Sequence, residues 1–289
     1  MSHITRREAL LTGATTLLAA SSVGPVGARA SVQPAGGPGR LKQSVCRWPF
    51  AKVPAHEFFK AVADMGLTAV DLLTEKEWPI AREYGLTCSM GSGAGGGITD
   101  GFNVKGNHEK LIASLERGIP IAAAHKVPNV ITFFGNRRGM PDEEAKANCV
   151  EGLNKVKKVA EDHGVTICLE LLNSKVDHPD YQGDKSAFGI DVVKAVGSPR
   201  VKLLYDIYHM QIMEGDLIRT IRDNREHFAH FHTGGVPGRN ELDDTQEITW
   251  RTVAAAIADM GFDGYFAHEF LPKRDPLTSL REAVVLCTV

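Results

Sequence analysis

Four polar residues close apolar runs in the second half of this 289-residue chain. Glu170 ends Ile167-Cys168-Leu169-Glu170, and Asp206 follows Val201-Lys202-Leu203-Leu204-Tyr205. His232 ends Phe228-Ala229-His230-Phe231-His232, and Glu269 ends Tyr265-Phe266-Ala267-His268-Glu269. Each run is short and apolar enough to be a buried strand. If the strands are neighbours in one parallel sheet, three carboxylates and one imidazole meet at its C-terminal edge. Three carboxylates do not all stay ionised in a partly dry pocket without a counter-charge. A divalent cation supplies one. Oxygen-rich ligation with a single imidazole suits Mn²⁺ or Mg²⁺, and after them Co²⁺ or Zn²⁺. Four protein ligands on a six-coordinate ion leave two positions for substrate oxygens. The competing reading makes each residue an ordinary capped or ion-paired strand end.

Further candidates surround these four. His209 lies three residues after Asp206 and is placed to hydrogen-bond a substrate hydroxyl or carbonyl; otherwise it is a buried structural histidine. Arg239 offers a planar fork for a substrate carboxylate, against an ordinary loop ion pair with Glu241 or Asp243. Glu247 is a candidate for orienting a metal ligand from behind, or a helix-start acid. Asn173 hydrogen-bonds near Glu170 or simply turns the chain. Arg47 is a second carboxylate-binding candidate, and residues 177–181 (DHPDY) can close over the site by position. The run at 91–97 (GSGAGGG) lacks the GK[ST] of a phosphate loop and the spacing of a dinucleotide fingerprint. It is expected to be a plain loop or mobile lid after a third strand.

Such a site needs a scaffold that brings strand ends to one mouth. Strand-like runs fall at 43–47, 69–73, 87–90, 129–134, 166–171, 201–205, 228–232 and 264–269. Helix-period segments lie between them at 55–65, 107–126, 141–163, 191–196, 216–225, 250–260 and 276–286. Pro141 with Asp142, Glu143 and Glu144 starts a helix, and Gly66, Gly85, Gly164 and Gly261 stop helices ahead of strands. Eight strands alternating with helices predict a single (β/α)8 TIM barrel over residues 41–289, whose chemistry sits at the C-terminal strand ends. The alternative is an open doubly wound sheet.

The N-terminus has a different character. Arg6 and Arg7 precede a weakly apolar run, and Ala28-Arg29-Ala30 has the form of a cleavage site. Residues 1–30 read as a twin-arginine (Tat-type) signal peptide, which places the mature protein outside the cytoplasm, in the periplasm. Gly24, Pro25 and Gly27 oppose a spanning helix, so no stable membrane insertion is expected after cleavage; an uncleaved anchor is the alternative. Residues 31–40 read as a flexible leader. Removal of residues 1–30 takes three Arg and one Glu, moving the formal charge from −2 to −4. That balance argues against nucleic acid as a partner, and hence against a DNA-repair endonuclease on the same barrel. Five cysteines with no CxxC pair indicate neither a zinc knuckle nor a disulfide framework; each is expected to be a small core residue.

Particular motifs carry a resemblance. Residues 206–216 (DIYHMQIMEGD) resemble the DIYHMQxMEG signature of hydroxypyruvate isomerases, within the xylose-isomerase-like TIM barrels. Residues 169–173 (LELLN), 237–241 (PGRNE) with 246–248 (QEI), and 268–270 (HEF) resemble further stretches of that family, so the similarity spans roughly 41–286. It implies Glu170, Asp206, His232 and Glu269 as metal ligands, Glu170 and Glu269 as a proton-transfer pair, and His209 as a substrate contact. It also implies a small hydroxy-ketone or sugar substrate and a homodimer. Interconverting hydroxypyruvate and tartronate semialdehyde requires removing a proton beside a carbonyl, through an ene-diolate. The sequence departs from the family at residue 232, where isomerases often carry Gln and the related ketohexose 3-epimerases carry His. The segments 73–78 and 91–97 depart too. A ketose 3-epimerase or an inosose-type dehydratase therefore stays open, as does a non-catalytic exported sugar-binding protein.

Overall fold

The computed structural model describes residues 39–289. The expected export signal and residues 31–38 of the expected leader lie outside the described residues. Arg40 is fastened rather than free: its N–H donates to Val289 O at 3.0 Å.

Eight strands form one parallel sheet: β1 Lys42–Val45, β2 Ala69–Leu73, β3 Thr87–Gly95, β4 Asn129–Phe133, β5 Thr166–Leu171, β6 Val201–Asp206, β7 Phe228–Thr233 and β8 Tyr265–His268. Its order, β1-β8-β7-β6-β5-β4-β3-β2, leaves one seam between β1 and β2. A parallel bridge from Cys46 to Asp71 and an Arg47 N–H donated to Asp71 O at 3.1 Å draw that seam together. The result is a (β/α)8 barrel. Strands such as β4 and β5 are buried along their whole length, because the lumen covers one face and helices the other.

Nine α-helices stand among the described residues: α1 Ala55–Asp64, α2 Trp78–Glu83, α3 His108–Ala124, α4 Asp142–His163, α5 Ser186–Val196, α6 Ile207–Met213, α7 Leu217–Asp223, α8 Trp250–Asp259 and α9 Pro276–Cys287. The long α4 begins after Pro141 with three acids in its first turn, which suits the helix dipole. It ends at Gly164, whose φ of 68° is left-handed and lets the chain turn into β5. Two short helices, α2 and α6, fall where the apolar period is too brief to read from sequence.

One expectation is corrected. Residues 91–95 are not a loop but the second half of β3. A Cβ on Gly95 would lie 1.9 Å from Ile131 O, so only glycine lets β3 come this close to β4. The register shifts between Gly91, paired with Val130, and Gly95, paired with Thr132, as in a bulge.

Candidate active site

The barrel gathers the four candidates at its C-terminal mouth. Glu170 is near the end of β5, Asp206 ends β6 and caps α6, His232 is near the end of β7, and Glu269 follows β8. Asp206 and His232 are fully buried, Glu170 and Glu269 almost so. One ligand-type atom from each lies within 4.8 Å of all the others.

His232 Nδ1 lies 2.8 Å from Glu269 Oε2 and 3.3 Å from Glu170 Oε1, yet makes no hydrogen bond of good geometry. It is a buried nitrogen facing carboxylates without a partner of its own. The donor set is three carboxylates and one imidazole, which fits a hard divalent cation.

Arg239 does not make the loop ion pair with Glu241 or Asp243. Its Nη2 lies 3.2 Å from Asp206 Oδ2 and also bonds Glu269 Oε2, so a protein cation bridges two of the candidate carboxylates. Its guanidinium stacks 5.2 Å from the Tyr208 ring and 5.4 Å from the Trp48 ring. Glu241 instead accepts the N–H groups of Lys273 and Arg274 and the Ser279 hydroxyl.

His209 is buried beside Asp206. Its N–H donates to Asp206 Oδ1 at 3.2 Å, capping α6. Asn173 N–H donates to His209 Nδ1 at 3.1 Å, and Asn173 Nδ2 lies 2.7 Å from the same nitrogen. A nitrogen that accepts leaves the other protonated. His209 Nε2 therefore carries the proton; it has no hydrogen-bond partner and lies 3.6 Å from Asp206 Oδ2. Asn173 also turns the chain, since its Oδ1 accepts the N–H groups of Val176 and Asp177.

The segment after β5 packs over the mouth. Tyr208 OH donates to Asp177 Oδ2 at 2.8 Å, and Tyr181 OH donates to Glu170 O at 2.9 Å. Two candidates are not brought in. Glu247 is exposed, and its carboxylate accepts from Gln211 Nε2 rather than touching a ligand candidate. Arg47 donates to Phe50 O and Val53 O, tying its own loop.

Other participants were hidden in the sequence. Trp48 Nε1 donates to Glu269 Oε1 at 2.6 Å. Asp71, a charge inside the apolar run Ala69–Leu73, is fully buried below the mouth. All five cysteines are buried and free, but Cys46 is more than filler, because its Sγ lies 3.8 Å from His232 Nε2. Cys46, Asp71 and His232 form a second group of ligand-type atoms. That group shares His232 with the first, and Asp71 is already hydrogen-bonded to His230.

Electrostatics separate the two glutamates. Burial raises Glu269, but Arg239 and then His232 outweigh it and hold it well below the usual carboxylate range. Burial pushes Glu170 up, with the Glu269 charge adding to the rise. Burial also lifts Asp206 to about 7, against the pull of Arg239. His209 is held well below the ordinary histidine value by burial and by Arg239, so it is neutral.

A family model described as "Xylose isomerase-like TIM barrel" matches residues 59–285. The chain belongs to the xylose isomerase-like TIM barrel family. Among its relatives, 2-oxo-tetronate isomerase of Pectobacterium atrosepticum is 26% identical over 235 residues, 78% of this chain and 89% of that one. A putative hydroxypyruvate isomerase of Homo sapiens is 27% identical over 238 residues, 81% of this chain and 80% of that one. D-psicose 3-epimerase of Ruminiclostridium cellulolyticum is 37% identical over 119 residues, 40% of this chain and 38% of that one. This xylose isomerase-like barrel thus has both isomerases and a sugar epimerase among its relatives.

Proposed function

We propose that this protein is a divalent-metal-dependent isomerase of a small hydroxy-ketone, with hydroxypyruvate to tartronate semialdehyde (2-hydroxy-3-oxopropanoate) as its lead reaction. Homologues named isomerases support an isomerase. The observation that carries the reading is the meeting of four ligand atoms within 4.8 Å at the barrel mouth, two of them from glutamates on β5 and after β8.

Glu170, Asp206, His232 and Glu269 would hold the ion. When bound, a divalent cation supplies polarisation of the ketone and neutralisation of ene-diolate charge. The rest falls to the side chains. Glu269 is the ionised carboxylate and is held in place by Trp48, so it takes the proton from the carbon beside the carbonyl. Glu170, the second glutamate at the mouth, returns a proton to the neighbouring carbon. Such acid–base assistance contributes roughly 10²–10⁴ in rate. The Nε2–H of His209, which has no protein partner, donates to a substrate oxygen. Arg239 meets the substrate carboxylate with the N–H groups that Asp206 and Glu269 leave free.

A second reading, a ketose 3-epimerase, is favoured by one residue. Position 232 carries the His of the epimerases, and D-psicose 3-epimerase is among the relatives. The same two glutamates would then act on opposite faces of one carbon. The deciding assay follows hydroxypyruvate isomerisation by chelated protein, with and without added Mn²⁺ or Mg²⁺, beside a panel of ketoses. Metal-dependent turnover of hydroxypyruvate supports the first reading. Turnover of a ketose alone replaces it with the second, and silence on all substrates with no metal bound refutes both.

We further propose that residues 1–30 direct export. Fractionation checks this, and mature protein confined to the cytoplasm refutes it. Among the described residues no helix is long and apolar enough to cross a membrane.

A further inference from the structure

Beneath the ligand cluster the lumen holds a chain of buried polar groups that the proposed reaction does not use. Asp71 of β2 and His230 and His232 of β7 are each fully buried. β2 and β7 are not neighbours in the sheet, so these contacts cross the barrel interior. Asp71 Oδ2 bonds His230 Nε2 and lies 3.7 Å from His232 Nε2. Asp71 Oδ1 has no hydrogen-bond partner. Burying a carboxylate in an apolar lumen is costly unless something nearby uses its charge.

The imidazole of His232 has two ends. Nδ1 faces Glu170 and Glu269, whereas Nε2 faces Asp71 and, at 3.8 Å, the Sγ of Cys46. A neutral imidazole that gives Nδ1 to a cation carries its proton on Nε2, and that proton needs an acceptor. A thiol is a weak acceptor and a carboxylate a strong one. We propose that Asp71 is a positioning residue: seated by His230, its carboxylate takes the Nε2–H of His232 and so keeps the Nδ1 lone pair free for the cation that Glu170, Asp206 and Glu269 would share. The proposal rests on the reading of Glu170, Asp206, His232 and Glu269 as a metal site. At 3.7 Å the contact is longer than a hydrogen bond. It tightens when Nδ1 is ligated, because ligation makes the Nε2–H a stronger donor.

The test is Mn²⁺ affinity of the full chain, read by the paramagnetic resonance of free Mn²⁺, together with proton NMR of the Co²⁺-loaded protein. Asp71→Asn is expected to weaken Mn²⁺ binding about 10–100-fold. It is also expected to shift or abolish one solvent-protected, exchangeable proton signal from His232. His230→Gln keeps the carboxylate but removes its seat, and weakens binding by a smaller factor; it serves if Asp71→Asn does not fold. A purely structural role would lower the melting temperature without changing affinity or the proton signal. Wild-type affinity in both variants, or an unchanged signal in a folded Asp71→Asn, overturns the positioning role while leaving the metal site intact. Absence of Mn²⁺ binding by the wild-type chain overturns the metal reading, and this proposal with it.

Discussion

The indole Nε1–H of Trp48 donates to Glu269 Oε1 at 2.6 Å, joining the turn after β1 to the end of β8. The other Glu269 oxygen faces His232 and Arg239. Both carboxylate oxygens are thereby engaged, which sets the plane of the proposed base. Trp48→Phe keeps the ring stacked near Arg239 and deletes the hydrogen bond. A hydrogen bond to a charged group contributes about 1.5–3 kcal/mol. Steady-state kinetics on the accepted substrate should show kcat lower by at least about tenfold with little change in KM; unchanged kcat refutes the role.

Arg239 is the protein's own counter-charge for Asp206 and Glu269. Its removal leaves buried carboxylates uncompensated, which costs about 3–5 kcal/mol where no other cation is present. Arg239→Ala should therefore melt well below the wild type in chelator. Added Mn²⁺ should recover most of the difference, because the ion replaces the missing charge. Equal losses with and without metal would contradict this.

Asp206 would give the proposed metal binding a pH dependence. Its folded-state value, about 7, lies above the ordinary 3.8. Between those values the metal-free folded protein holds a proton that the unfolded chain has released. That stabilising contribution is complete below about pH 4 and is lost as pH rises through about 7. A metal must displace the same proton, so Mn²⁺ affinity should climb with pH and level off above about 7. Calorimetry in buffers of different ionisation enthalpy should find more proton release at pH 6 than at pH 8.

His268 works with the opposite sign. Burial lowers it from 6.5 to about 3, so it is neutral in the folded protein. Its contribution is complete above about pH 6.5 and is lost as pH falls from there through about 3. Denaturant unfolding at pH 7, 5 and 4 should show falling stability, and His268→Gln should flatten that slope.

Two glycines of the same run should behave differently. A Cβ at Gly95 meets Ile131 O at 1.9 Å, whereas a Cβ at Gly97 meets nothing within 4 Å. Gly95→Ala should cost on the order of 3 kcal/mol or prevent folding, because the clash is with backbone. Gly97→Ala should stay within about 0.5 kcal/mol of wild type in thermal melts.

Most of the barrel was legible because most strands are self-contained apolar runs and several helices carry their own signals, such as Pro141 at the start of α4 and Gly164 at its end. The exceptions had physical causes. α6 begins at the strand end itself and is only seven residues long, too short for its apolar period to stand out in the sequence. Residues 91–95 look like a loop because glycine is the ordinary loop residue; here it permits a close strand approach. Glu170, Asp206, His232 and Glu269 stood out because a polar residue at the end of a buried strand has a local signature. Glu247 and Arg47 had the right chemistry, but nothing local shows where a loop side chain points.

The sequence alone determined the alternation of strands and helices, and with it which residues end strands at the mouth. Those are properties of short windows, set by burial and backbone period. That Arg239 bridges Asp206 and Glu269, that Trp48 holds Glu269, and that Asp71 sits beneath His232 follow from the closed barrel. Asp71 and His230 are 159 positions apart and meet across the lumen. Contacts of that kind arise when the barrel closes, and no local pattern of residues encodes them.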